Sequence, residues 1–413
     1  VAVSASSRSG AVLRSLARAA VAVPMLPIVV LASLAARLAS VRRRRSTSLP
    51  RLIWGPVPII SIKYWSSALR DRGYESRTCV FGYYAINERA DFDVHYDEFL
   101  PRGLVFEAFR PYAVFLWVLR SAEVYLCYLD GGFLQMTALR RLELPLLRLA
   151  GVRIIATPYG SDIAVPGHLG VAEAPLLRDY PEIAVQGAKV RRRVDEFTRW
   201  ANVIVRNYQY GYLPRSDVLW PTLIAIDTER WRPSGPLGDA DGRDGEVMVV
   251  HAPNHRHIKG TAALIDAIDQ LREEGLRVRL ELLERRSNED VREAVARSDI
   301  VAEQFIAGYA LFAIEGMAAG RPVLSALSWM PADVRAELTG REIPIVDADT
   351  ATLLDHLGPL VRDPARRHQL GQDGRRFVIA NHSYEAVGRG WQTIIERAWR
   401  SDQRGSATRP ERT

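Results

Sequence analysis

Apolar and polar positions along the chain fall into two series of short apolar runs and longer amphipathic stretches, parted by the breaker-rich segment PSGPLGDADGRDGE at 233–246. In the first series, the run 52–54 ends at Gly55, and GPVPIIS (55–61) leads into an amphipathic stretch stopped at Gly73. That order predicts a strand, a glycine loop and a helix. Further strands are expected at 78–81, 124–129, 152–156, 203–205 and 218–220, with helices at 111–120 and 139–149. The second series predicts strands at 247–250, 277–283, 300–302 and 323–325. Its helices are expected at 261–274, 289–296, 309–319, 350–361, 364–379 and 383–400. Leu264, Ile268 and Leu271 share one helical face.

Strands alternating with helices at this spacing predict an α/β chain with two Rossmann-like, doubly wound domains facing across a cleft. The expected divisions are a leader (1–48), a first domain (49–232), an exposed linker (233–246), a second domain (247–382), a closing helix (383–400) and a polar, disordered tail (401–413).

Charge changes the picture at one end only. The formal net charge is +7, but residues 1–45 carry eight Arg and no acid, leaving 47 basic against 48 acidic residues elsewhere. Basicity confined to a leader argues against a nucleic-acid-binding protein and points to a membrane surface. The leader also holds an apolar run at 19–36, interrupted by Pro24 and Pro27 and flanked by Arg8, Arg14 and Arg18 before and Arg37 and Arg42 to Arg45 after. A run of this length is roughly the minimum for a span. Three readings stay open: a membrane anchor or in-plane segment, a cleaved signal peptide, and a disordered leader. The heavier downstream charge predicts a main body in the cytoplasm, at the cytoplasmic face of the membrane. Cys79 and Cys127, neither in a CxxC, fit reduced surroundings.

Two segments concentrate chemistry. HAPNHRHIKGT (251–261) sits where a strand ends and a helix begins. Ligands of doubly wound sheets bind there, and the free N–H groups around Gly260 and Thr261 suit an anion. Lys259, one of only three lysines, supplies a point charge, and Arg256 a fork for phosphate oxygens. A solvated loop is the plainer alternative. His251, His255 and His257 lack the carboxylate or Cys that would complete a metal site, so none is expected. In EQFIAGYALFAIEGMAAGRPVLS (303–325), Gly308 opens a helix and Gly320 closes it. Glu315 lies mid-helix among apolar residues and needs a partner, which a ribose diol would supply; a surface glutamate is the alternative.

These two segments, as KGT (259–261) and EGMAAGRPV (315–323), resemble the donor domain of family-4-like retaining glycosyltransferases, which have the two-domain GT-B fold. Fainter likenesses cover most of 50–400: GPVPIIS to the family's N-terminal glycine loop with Gly55, YGSDI (159–163) to its cleft loop, AIDTERWRP (225–233) to its hinge, and NHSYEAVGRGW (381–391) to its closing helix. The resemblance implies that Lys259 and Arg256 hold a donor diphosphate and Glu315 the ribose hydroxyls. It also implies retention of anomeric configuration. Two positions depart from the pattern. Ala307 stands where the family has a second glutamate, eight residues before Glu315, and Asn254 replaces its basic residue. Glu303 is out of register for that first role, and Gln304 could serve by hydrogen bonding.

Tyr159, Gly160, Ser161 and Asp162 are expected on the cleft loop, with Asp162 either a base for the acceptor or a cap of its own turn. Asp-x-Asp occurs at three scattered places and carries no assignment. The expected function is glycosyl transfer from a nucleoside-diphosphate sugar, with no further cofactor, to a saccharide or lipid-linked acceptor. A nucleotide-sugar-binding scaffold, motivated by Ala307, and a sugar-nucleotide epimerase are the rivals.

Overall fold

The computed structural model describes residues 5–43, 48–84, 87–235 and 237–400, with side chains at all of these but 5–18, 42, 43 and 104. The tail 401–413 lies outside the described residues. Helix α1 (Ala5–Arg43) precedes β1 (Leu52–Trp54), α2 (Ser61–Arg70), β2 (Ser76–Val80), β3 (Val94–His95), α3 (Leu104–Ser121), β4 (Val124–Cys127), α4 (Glu143–Leu149) and β5 (Arg153–Ala156). The first domain continues through α5 (Glu173–Asp179), α6 (Glu182–Trp200), β6 (Val203–Arg206) and β7 (Val218–Leu219). Its seven strands are parallel, in the order β3-β2-β1-β4-β5-β6-β7.

The second domain holds β8 (Val247–His251), α7 (Arg256–Lys259), α8 (Thr261–Glu273), β9 (Val278–Leu282), α9 (Asn288–Arg297), β10 (Ile300–Ala302) and α10 (Leu311–Ala318). Then come β11 (Val323–Ser325), α11 (Ala332–Gly340), β12 (Ile345–Asp347), α12 (Leu353–Arg362), α13 (Pro364–Asn381) and α14 (Tyr384–Arg400). Its five parallel strands run β12-β11-β10-β8-β9. Each sheet therefore reverses its winding once, between β1 and β4 and between β8 and β10. Such reversals open a crevice at the carboxyl ends of the strands, because the loops on either side leave in opposite directions.

Strand alternation decides which helices cover which face. Ile53, Tyr125 and Ile154 point toward α3 and α6, while Leu52, Trp54, Leu126 and Ile155 point the other way. That second face is completed by α14, which returns from the end of the second domain. Its Trp391 ring meets Trp65 at 5.2 Å, Trp220 at 5.4 Å and Trp54 at 5.1 Å. The two domains are tied where the chain crosses: Ile226 N–H donates to the His382 carbonyl at 2.8 Å, and His382 Nδ1 bonds the Ile224 carbonyl at 2.7 Å.

The segment 233–246 is not a free linker. Its breakers free backbone carbonyls, and buried guanidiniums collect them: Arg321 bonds Gly235, and Arg367 bonds Gly238 and Ala240. Asp299 receives the Gly238 N–H at 3.1 Å. The stretch is thereby laid along the second domain.

Candidate active site

The crevice between β8 and β10 is built outward from His251, which is fully buried. Its Nδ1 lies 2.8 Å from the Ala302 carbonyl, and its Nε2 lies 2.9 Å from Thr261 Oγ. A carbonyl only accepts, so Nδ1 carries the proton and Nε2 accepts from the threonine hydroxyl. Burial pushes the His251 pKa down to about 4, so the ring stays neutral. One imidazole thus joins the ends of two neighbouring strands to the first turn of α8. His255 instead meets Tyr180 edge-on at 5.4 Å, and His257 lies 4.0 Å from Asp179, so the three histidines point different ways.

Between β8 and α8 the chain makes the single turn α7, then reverses at Gly260 with φ 71°. A Cβ there would lie 3.0 Å from Phe305 Cβ, so both the backbone angle and the close approach of the next loop require glycine. The Phe305 N–H donates to the Lys259 carbonyl at 3.2 Å, holding the two loops together. Among the described residues no side chain caps α8, which leaves its first N–H groups for a ligand.

Lys259 is buried, and its ammonium pairs directly with the Glu303 carboxylate. The other Glu303 oxygen accepts the Ala313 N–H at 2.5 Å, in the first turn of α10. Glu303 is therefore the crevice carboxylate that stands beside Lys259. Gln304, the expected substitute, turns back into its own loop and donates to the Ala307 carbonyl at 3.2 Å. Counting from Glu315 pointed to Ala307. Counting from the end of β10 would have pointed to Glu303, because the residue after a strand end at a winding reversal faces the crevice. The Gly308 carbonyl accepts from Ser325 Oγ at 2.6 Å, which ties this loop to β11.

Glu315 is buried on α10, with Asn288 Nδ2 3.4 Å away as its hydrogen-bond partner. Burial pushes its pKa up to about 8. The Glu303 charge adds to this, and Arg230 and Lys259 oppose it. Lys259, Glu303 and Glu315 thus share one electrostatic environment. It also reaches the first domain: the Tyr64 pKa is pushed up to about 12 by burial and then by Glu315, and Glu303 acts likewise on Tyr208. Tyr208 stacks on Tyr309 across the domain boundary at 5.7 Å.

Besides Gln304, two expected site residues are placed differently. Arg256 is exposed, and both ends of its guanidinium are held by Glu284 at 2.7 and 2.6 Å. It sits on the solvent side of α7, so its fork is occupied by a carboxylate instead of turned to the crevice. Asp162 is completely buried, and its two oxygens receive the N–H groups of Leu129, Tyr159 and Gly160 at 3.1, 2.9 and 2.9 Å. Burial raises its pKa to about 7, against those hydrogen bonds. Asp162 shapes the loop and presents no free oxygen as a base; Ser161 beside it is exposed.

The loop that Asp162 organises carries Tyr159, whose hydroxyl donates to Asp130 at 2.8 Å. Arg193 pairs with the other Asp130 oxygen at 2.6 Å. Asp130 closely follows β4, beside the winding reversal of the first sheet, and sequence reasoning passed over it. Gly55 follows β1 on the other side of that reversal. A Cβ there would lie 2.0 Å from the Cys79 carbonyl, so the loop passes tightly under β2.

No known protein-family profile matches the chain, and no curated protein matches it in sequence. Solved structures do match in shape. HepE from Anabaena, in complex with UDP-glucose, aligns over 84% of this chain and 100% of its own, at TM-score 0.53 and 14% identity. An α-glucosyltransferase in complex with UDP and a 13-mer DNA aligns over 84% and 100%, at TM-score 0.53 and 12% identity. A glycosyltransferase from Rickettsia africae aligns over 85% and 99%, at 0.53 and 11%. At these identities the likeness is one of fold: the chain has the two-domain GT-B architecture.

Proposed function

We propose that the chain is a glycosyltransferase that moves a sugar from a nucleoside-diphosphate sugar to a saccharide or lipid-linked acceptor. The observation that carries this reading is that Lys259, beside an uncapped helix start, pairs with Glu303, whose other oxygen caps α10, the helix that carries Glu315. A nucleoside diphosphate presents an anion and a ribose diol a few ångströms apart. The crevice offers a cation with backbone N–H groups at one end and a carboxylate at the other. The resemblance of 259–261 and 315–323 to a donor domain, and the bound UDP-sugar and UDP of two structural neighbours, support the same assignment.

In this reading, the α8 start and Lys259 bind the diphosphate. As the bond from the anomeric carbon to the diphosphate oxygen breaks, negative charge grows on that oxygen. Lys259 stabilises it, which makes a metal ion unnecessary. The acceptor hydroxyl forms the new bond to the anomeric carbon, and its proton leaves on the departing diphosphate. Glu303 keeps the ammonium in place. Glu315 accepts both ribose hydroxyls. The acceptor lies against the first domain near Asp130 and Tyr159. Retention of configuration is part of the proposal and rests on the resemblance. A position at the cytoplasmic face of a membrane is also part of the proposal and rests on the basic leader.

The test is a thermal-shift screen of the purified chain against UDP-, GDP- and ADP-sugars, followed by donor consumption with an acceptor extract. One nucleotide class should raise the melting point, and its sugar should be consumed. A chain that binds none of them refutes the donor assignment, and one that binds but never consumes a donor is a binding protein.

A further inference from the structure

We infer that α1 is a membrane-surface helix, clamped flat along the first domain with its outer face turned to an anionic bilayer. The stretch Ala19–Val41 contains an 18-residue window with a mean hydropathy of 2.3, yet only 22% of that window is buried. Its inner face is narrow. Ala22, Met25, Val29 and Ser33, three or four residues apart, join the core against α3 and α4. The Ser33 hydroxyl is satisfied by the Val29 carbonyl at 2.8 Å. At the far end Ser40 and Arg37 press on Gly151, where a Cβ would meet them at 2.8 and 2.9 Å. The helix is thus held against the domain from Ala22 to Ser40, nearly the whole apolar length.

The outer face is as apolar as the inner one. Val23 is 75% exposed, Leu31 66% and Leu38 71%, with Ile28, Leu34 and Val41 beside them in the series. An unbroken exposed apolar stripe marks an interaction surface. Its flanks select the partner. Arg37 is exposed on the same helix, the sequence places Arg8, Arg14 and Arg18 before the stripe and Arg42 to Arg45 after it, and residues 1–45 contain no acid. Apolar side chains set among unbroken positive charge match the acyl boundary and headgroups of an anionic lipid layer.

A spanning orientation conflicts with the packing, because α3 and α4 run alongside α1 and would be drawn into the hydrocarbon with it. The exposed Pro24 and Pro27 point the same way. Each removes an intrahelical hydrogen bond and leaves a carbonyl that water can reach at headgroup depth.

The test uses the full chain with vesicles of phosphatidylcholine, with or without phosphatidylglycerol. Sedimentation should show binding to the anionic vesicles that weakens as salt rises. Leu31→Glu with Leu38→Glu should lower that binding at least ~10-fold without moving the melting point, since both side chains are exposed. Depth is read separately with a fluorophore on Val23→Cys or Leu38→Cys, because native Cys79 and Cys127 are both buried. Both labels should report the same shallow depth and the same accessible side. Absent binding to anionic vesicles, unchanged binding of the glutamate variant, or labels on opposite sides of the bilayer would overturn the inference.

Discussion

Lys259 and Glu303 form a buried ion pair that bridges the loop after β8 to the loop after β10, and the far oxygen of Glu303 caps the first turn of α10. The pair fixes the Lys259 ammonium between the two loops. It does so at the cost of removing two ions from water, which only close pairing and added hydrogen bonds offset.

Breaking that pair from one side should be severe. Lys259→Ala leaves Glu303 buried without its counter-ion and should cost about 3–5 kcal/mol of stability. It should also abolish nucleoside-diphosphate binding. Lys259→Met with Glu303→Leu should recover most of the stability in denaturant melts but none of the binding by calorimetry. Recovery of binding in the double variant would remove Lys259 from the donor site.

Glu315 should make both stability and binding depend on pH. Its folded pKa, near 8, is above the ordinary value of 4.5, so the native state holds a proton that the unfolded chain releases. This destabilises the fold progressively between those two values, reaches its full extent above about 8, and vanishes below about 4.5. Glu315→Gln should therefore melt higher than the parent at pH 8 and alike at pH 4.5. Nucleotide affinity of the parent should rise through pH 8 as the carboxylate forms to accept the ribose hydroxyls. A flat affinity profile in the parent would sink the ribose assignment.

Asp162 should behave as a structural residue. Asp162→Ala strands the N–H groups of Leu129, Tyr159 and Gly160, the first of them buried, and should cost roughly 2–4 kcal/mol. Donor affinity should hold, because the loop belongs to the other domain. Asp162→Asn keeps one acceptor oxygen and should lose less. Full stability with lost turnover in Asp162→Asn would restore the base that sequence reasoning weighed.

Arg256→Ala should leave both the melting point and nucleotide affinity where they are. Exposed ion pairs like the one with Glu284 contribute little, being screened by water and salt. Titration calorimetry beside Lys259→Ala makes the contrast, and an equal loss in both variants would return Arg256 to the diphosphate.

Much of this chain was legible before any coordinates. Alternating apolar runs and amphipathic stretches predicted two parallel sheets, and most strands were found within a residue or two. Helices α5, α6 and α11 escaped notice, although α6 buries Gly187, Val190, Val194 and Phe197 three or four residues apart. KGT and EGMAAGRPV pointed to the loops that follow β8 and β10, since a helix start after a strand leaves its N–H groups free wherever the rest of the chain lies.

Residue periodicity records that a face is buried but not what it is buried against. Only the tertiary structure could pair Lys259 with Glu303, hand Arg256 to Glu284, fold Asp162 into its own loop and lay 233–246 along the second domain. Periodicity and motif spacing do not name these partners, and the short reach of hydrogen bonds and ion pairs makes the neighbour decisive. The leader shows the same division. Composition marked it as apolar and basic, while contact with α3 and α4 decided which of its faces remains open.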